Sequence, residues 1–233
     1  RVAHGEGWLA MEWLEGEDLA ARLGRLGLLP SEAALVGTRT AEALGAAHAR
    51  GVVHRGVKPS NVFLVDGDPG RVKLLDFGIA RAALGVRLTR SGAIVGTPGY
   101  MAPEQARGSR AVDARADVFS LGCVLFECLT GRPAFVGAHP LAVLAKILLE
   151  EAPRISELAA APPELDELCA RMLSKDPALR PADGAAVAAQ IAALGSLGEA
   201  RRAPARASLG TTERSLASVL VVDGRASELA QTL

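Results

Sequence analysis

What most constrains this chain is how little β structure its pattern leaves among long helical stretches. Two short apolar runs, "NVFLV" (61–65) and "RVKLLD" (71–76), are joined by the turn-rich "DGDPG" (66–70). Alternating strands around such a turn predict a hairpin. Before it lies "PSEAALVGTRTAEALGAAHARG" (30–51), with Pro30 and Ser31 as a helix start and Gly51 as its stop. Its apolar Leu35, Val36, Ala43, Leu44 and Ala47 recur at helical spacing, so the face they form is expected to be buried. After the hairpin the pattern predicts helices over 116–129, 139–151, 163–173 and 181–194, separated by Pro- and Gly-bearing connections. A strand is expected at Trp8–Met11, with a break at Gly16. The fold class is therefore α+β and mainly α: a helical bundle carrying a short hairpin.

The periodic region, 1–194, reads as one domain. Residues 195–213 are small, polar and basic, as in a linker. Residues 214–233 hold one more strand-like run, "SLASVLVVDG" (215–224), which reads as the start of a further domain or as a disordered tail, with Asp223 a candidate metal ligand. The 26 basic residues balance the 26 acidic ones, so no overall charge points to nucleic acid or an anionic membrane as partner. No apolar run approaches the ~18 residues of a membrane span. Cys123, Cys128 and Cys169 form no C-x-x-C pair and sit in apolar helical stretches, where reduced, buried thiols of a cytoplasmic protein are expected.

Five sequence blocks carry the chemistry: "HRGVKPSN" (54–61), "DFG" (76–78), "GTPGYMAPEQ" (96–105), "DVFSLG" (117–122) and "KDPALRP" (175–181). In this order and spacing they resemble the bacterial Hanks-type Ser/Thr protein kinases, and specifically the large C-terminal lobe of that fold. The resemblance implies ATP and Mg²⁺ as cofactors and a protein Ser/Thr hydroxyl as acceptor. Asp76 and Asn61 match the oxygen ligands of Mg²⁺, and Lys58 matches the lysine that neutralises charge on the transferred phosphoryl group. "MEWL" (11–14) resembles the adenine-binding hinge, which puts Met11, Glu12 and Leu14 along the nucleotide, Glu17 near its ribose and Phe63 beneath its base. Arg55 resembles the arginine that pairs with a phosphate on the activation segment, where Thr89, Ser91 and Thr97 lie. Lys58 together with Thr97 favours the Ser/Thr branch. His54, Glu104, Asp117 and Arg180 match scaffold positions, with Glu104 and Arg180 as a buried ion pair and Asp117 as anchor of the backbone at His54 and Arg55.

Two departures count against catalysis. Where the family pattern H-R-D has the aspartate that accepts the hydroxyl proton, this sequence has Gly56, and no acidic residue flanks it within the loop. No lysine precedes Lys58, and "HGEGWLA" (4–10) lacks the third glycine of a phosphate-covering loop. The small lobe is thus expected to be largely absent from these residues, and nucleotide binding to be in doubt. The reading is a kinase domain that is inactive or severely impaired as written, with a pseudokinase acting as a binding and scaffolding module as the alternative.

Overall fold

A computed structural model describes residues 2–3, 6–7, 12–77, 98–109 and 111–195. The chain divides into two compact units. The first contains a short antiparallel pair, β1 (Val2–Ala3) with β2 (Glu6–Gly7), in the register Val2 to Gly7 and Ala3 to Glu6. The strand expected at Trp8–Met11, the linker beyond Gly195 and the apolar run at 215–224 lie outside the described residues.

The second unit begins at Gly16. There β3 (Gly16–Asp18) leads into α1 (Leu19–Arg25) and α2 (Pro30–His48); β4 (Val62–Val65) and β5 (Val72–Leu74) form the hairpin. Helices α3 (Pro103–Ala106), α4 (Ala114–Thr130), α5 (Pro140–Leu149), α6 (Pro163–Met172) and α7 (Gly184–Ala193) follow. The sheet has the order β3-β4-β5, antiparallel throughout. A mainly helical unit with a three-stranded antiparallel sheet agrees with the α+β expectation.

Gly16 does not break the chain, as its residue type suggested; it opens a third strand. A Cβ there would lie 2.1 Å from the Leu64 carbonyl oxygen, and its φ of +136° is open to glycine almost alone. Asp18 then ends β3 and caps α1, its Oδ1 accepting from the Ala21 amide at 2.8 Å. Helix α1 was not expected. The later helices are shorter than predicted at their starts because a side chain fixes each first turn. Asp183 accepts from Ala186 N at 2.8 Å, so α7 begins at Gly184 rather than at Pro181, and His139 caps α5.

Helix α4 organises the core. Every residue from Ala116 to Thr130 is buried, including Phe119 and Phe126, and α2, α6 and α7 pack around it. A helix apolar on all sides needs such a jacket. The buried stripe of α2 runs through Ala33, Val36, Gly37, Thr40, Ala41, Leu44 and Gly45. Leu35, expected inside, is 39% exposed, and Ala43 and Ala47 are only half-buried. The stripe turns toward the small residues because α7 comes close enough to require them: a Cβ on Gly184 would stand 2.4 Å from the Ala41 oxygen. Burial pushes the Cys123, Cys128 and Cys169 thiols up, so all three stay protonated in the core.

Gly184→Ala should therefore destabilise the protein by about 1–3 kcal/mol through overpacking. Gly24→Ala in α1, where an added Cβ meets nothing within 4 Å, should stabilise by up to ~1 kcal/mol. Urea midpoints of the two variants, moving in opposite directions, check both.

Candidate active site

The site is built on Asp117, in the first turn of α4 and fully buried. Its Oδ1 accepts the Arg55 amide at 2.7 Å, and its Oδ2 accepts the His54 amide at 2.7 Å and the His48 Nε2–H at 2.9 Å. Three donors on one buried carboxylate repay much of its lost hydration. His48, at the last turn of α2, takes the Gly184 amide on its Nδ1 at 3.1 Å, so its ring bridges α2, α4 and α7.

Held at two consecutive amides, the loop turns sharply. Arg55 has φ +59°, a left-handed conformation that costs a non-glycine residue about 1–3 kcal/mol and needs surrounding contacts to persist. His54 is fully buried; its Nδ1 accepts the Gly56 amide at 3.2 Å, and its Nε2–H donates to the Leu75 oxygen at 3.0 Å. Its ring lies 4.6 Å from that of Phe77. Burial lowers the basicity of His54 more than the nearby Asp117 and Asp76 raise it, so the neutral ring is favoured. Asn61 closes the loop, donating its amide Nδ2–H to the Gly56 oxygen at 2.8 Å, while its own backbone oxygen accepts from Leu75 N at 2.9 Å. Asp76 follows at once, exposed and with φ +55°.

Loop 54–61 and the end of β5 are thus one hydrogen-bonded body holding His54, Arg55, Gly56, Lys58, Asn61 and Asp76 together. The Asn61 amide, anchored through nitrogen, leaves its oxygen for a ligand. With the exposed Asp76 carboxylate it makes a pair of hard oxygen donors suited to Mg²⁺ whose other ligands come from phosphate and water. Lys58 is half-buried beside Gly56. Gly56 does not have positive φ, so its backbone leaves room for an L side chain. No carboxylate lines the cavity at this position.

A second cluster ties this body to the helices. The Arg180 side chain is fully buried, and its five N–H groups all find acceptors. They go to Glu104 at 2.8 and 3.0 Å, Ser174 O at 2.8 Å, Arg115 O at 3.0 Å and Lys175 O at 3.2 Å. The guanidinium also lies 5.0 Å from the Phe119 ring centre. Next to Glu104, Gln105 donates to the Arg55 oxygen at 3.4 Å and accepts from Ala102 N at 3.0 Å.

The remaining sequence-derived candidates lie elsewhere. Glu17 sits on β3 with its carboxylate bound by Arg22 Nε at 2.7 Å and Arg25 Nη2 at 2.8 Å. Burial raises this carboxyl, yet the two arginines outweigh that and hold it below its ordinary value. Phe63 is half-buried on β4, paired with Asp18 and Lys73. Glu12 and Leu14 belong to the first unit, in irregular backbone. Met11, Thr89, Ser91 and Thr97 lie outside the described residues. His48, Gln105 and Ser120, whose hydroxyl donates to Tyr100 O at 2.7 Å, escaped sequence reasoning. Only for His48 was there a signal: a histidine one turn before a helix stop.

With this geometry in hand, residues 3–192 match the protein kinase domain family. The chain belongs to that family. It is similar to two serine/threonine-protein kinases of Mycobacterium tuberculosis, both from strain CDC 1551 / Oshkosh. It is 42% identical to PknD over 180 residues, 76% of this chain and 27% of PknD, and 40% identical to PknL over 189 residues, 80% of this chain and 47% of PknL. It therefore spans less than half of either relative. The crystal structure of Rad53 1-466 in complex with AMP-PNP superposes with a TM-score of 0.63 at 26% identity, over 78% of this chain and 46% of that one. This kinase domain is accordingly of the bacterial Ser/Thr type, and among its described residues no helix is long and apolar enough to cross a membrane.

Replacing Arg180 by Met strands Glu104 beside the core and should cost about 3–5 kcal/mol in urea unfolding. His54 supplies a pH dependence. Because folding lowers its pKa below the ordinary 6.5, its contribution is complete above pH 6.5 and is lost as pH falls through the lowered folded value. A His54→Gln variant should show a shallower decline in stability over that window, read as the difference in unfolding midpoint between pH 7.5 and 5.

Proposed function

We propose that this chain is the catalytic lobe of a cytoplasmic kinase domain that transfers the γ-phosphoryl group of ATP to protein Ser/Thr hydroxyls, working at a severely reduced rate. The observation that carries the reading is the convergence of the Asn61 amide oxygen, the Asp76 carboxylate and Lys58 around a loop whose base position is empty of side chain. When bound, Mg·ATP supplies the phosphoryl group and the cationic charge that neutralises it. Asp76 and Asn61 hold the metal by oxygen, and Lys58 offsets negative charge on the group in transfer. His54 and Asp117 keep the loop in register by hydrogen bonds to its backbone. Gly56 can neither accept the hydroxyl proton nor orient the acceptor, and this is the defect.

The alternative is a pseudokinase that uses the helical lobe as a binding and scaffolding surface. Gly56 favours it, as does the lack of any lysine before Lys58 in these residues. The intact Asp76, Asn61 and Lys58 favour the kinase reading, since a scaffold has no use for metal-binding oxygens at the end of β5.

In the native full-length protein, Gly56→Asp should raise phosphoryl transfer from labelled ATP to a Ser/Thr substrate by ~10²–10⁴-fold. Asp76→Asn in the same background should abolish it. Transfer that stays at background in Gly56→Asp would leave the scaffolding reading standing.

A further inference from the structure

Beside Gly56 lies a cavity of about 20 Å³, open on one side and walled by Arg55, Gly56, Lys58, Tyr100, Gln105 and Ser120. Most polar groups of this wall are spoken for. The Gly56 amide donates to His54 and its oxygen accepts from Asn61; the Gln105 amide is used at both ends; the Ser120 hydroxyl donates to Tyr100 O. The two cations differ. The Arg55 Nε–H is buried with no hydrogen-bond partner, and Lys58 makes no ion pair among the described residues. A buried N–H lacking an acceptor is costly, and two positive side chains facing one hole without a carboxylate raise that cost.

We propose that this cavity is a carboxylate-binding site, and that its occupant is an acidic side chain of the acceptor protein next to the hydroxyl that is phosphorylated. The space is on the order of what one water needs, so the end of a carboxylate can enter from the open side, whereas the larger, tetrahedral phosphate cannot. A carboxylate there accepts from Arg55 Nε–H and lies against Lys58, in the charge-assisted pairing such groups form. It also restores the missing group. The acceptor hydroxyl passes its proton to the supplied carboxylate as its oxygen bonds to the γ-phosphorus, and the bond from phosphorus to the ADP oxygen breaks with its electron pair. This last step rests on the kinase reading above; the binding site does not.

The test follows the Arg55 Nε–H and Gly56 N–H resonances of the ¹⁵N-labelled chain during titration with sodium formate, with sodium chloride and inorganic phosphate at matched ionic strength. Formate should shift both resonances saturably in the millimolar range, while chloride and phosphate should not. In Gly56→Asp the protein's own carboxylate fills the hole and the formate response should vanish; Gly56→Ala, which narrows the cavity, should weaken it at least tenfold and serves if the aspartate variant does not fold. A Ser peptide with a neighbouring Glu should reproduce the shift, and the same peptide with Gln should not. No saturable formate shift, an equal shift with chloride or phosphate, or an unchanged response in the variants overturns the site. Formate binding with neither peptide binding overturns its assignment to the acceptor. Formate binding in a protein that never transfers phosphate would remove the kinase reading and leave the site standing; phosphotransfer by Gly56→Asp without formate binding would do the reverse.

Discussion

The Asp117 carboxylate is the interaction on which the rest of the site depends. A charge with no exposure to water persists only where donors replace its hydration. Here they are the amides of His54 and Arg55 and the ring of His48. Because α4 is buried along its length, the carboxylate is as immobile as the core. From this fixed point the order passes outward. Arg55 is held in a left-handed turn, His54 is aimed at Leu75, and Asn61 closes on Gly56. Asp76, at the far end of this chain of bonds, owes its position to a residue on another helix.

The scaffold and the chemistry are separable in this protein. Every bond that shapes the loop is made by backbone groups or by side chains other than that of residue 56. The backbone at Gly56 has no positive φ that would require glycine. The Arg180 cluster, which satisfies all five guanidinium donors, likewise does not touch the reacting position. Loss of an acid at 56 therefore leaves the architecture standing, and the intact scaffold says nothing in itself about turnover.

Much of the fold was legible along the chain. The hairpin was, since alternation and turn chemistry are local, and so were α2, α4, α5, α6 and α7, since their periodicity is local too. The misreadings share a cause. Gly16 looked like a break because its demand for glycine comes from the Leu64 carbonyl across the sheet. Leu35 looked like core because apolar residues are assigned inward by default, whereas α2 turns its small residues to meet α7. Helix α1 depends on a cap from Asp18 that only the strand before it sets up.

Of the site, the sequence by itself determined which chemical groups are present: an aspartate after β5, an asparagine and a lysine in the loop, and no acid at position 56. These are matters of residue type, and no folding can supply a missing side chain. Only the tertiary structure decided which groups meet. Arg180 reaches Glu104 across 76 residues and His54 reaches Asp117 across 63, while Arg55 and Lys58 are left facing a cavity with no acid in its wall. Partnership of that kind follows from how buried helices pack, because a hydrogen bond needs donor and acceptor within about 3 Å, a condition that spacing along the chain does not encode.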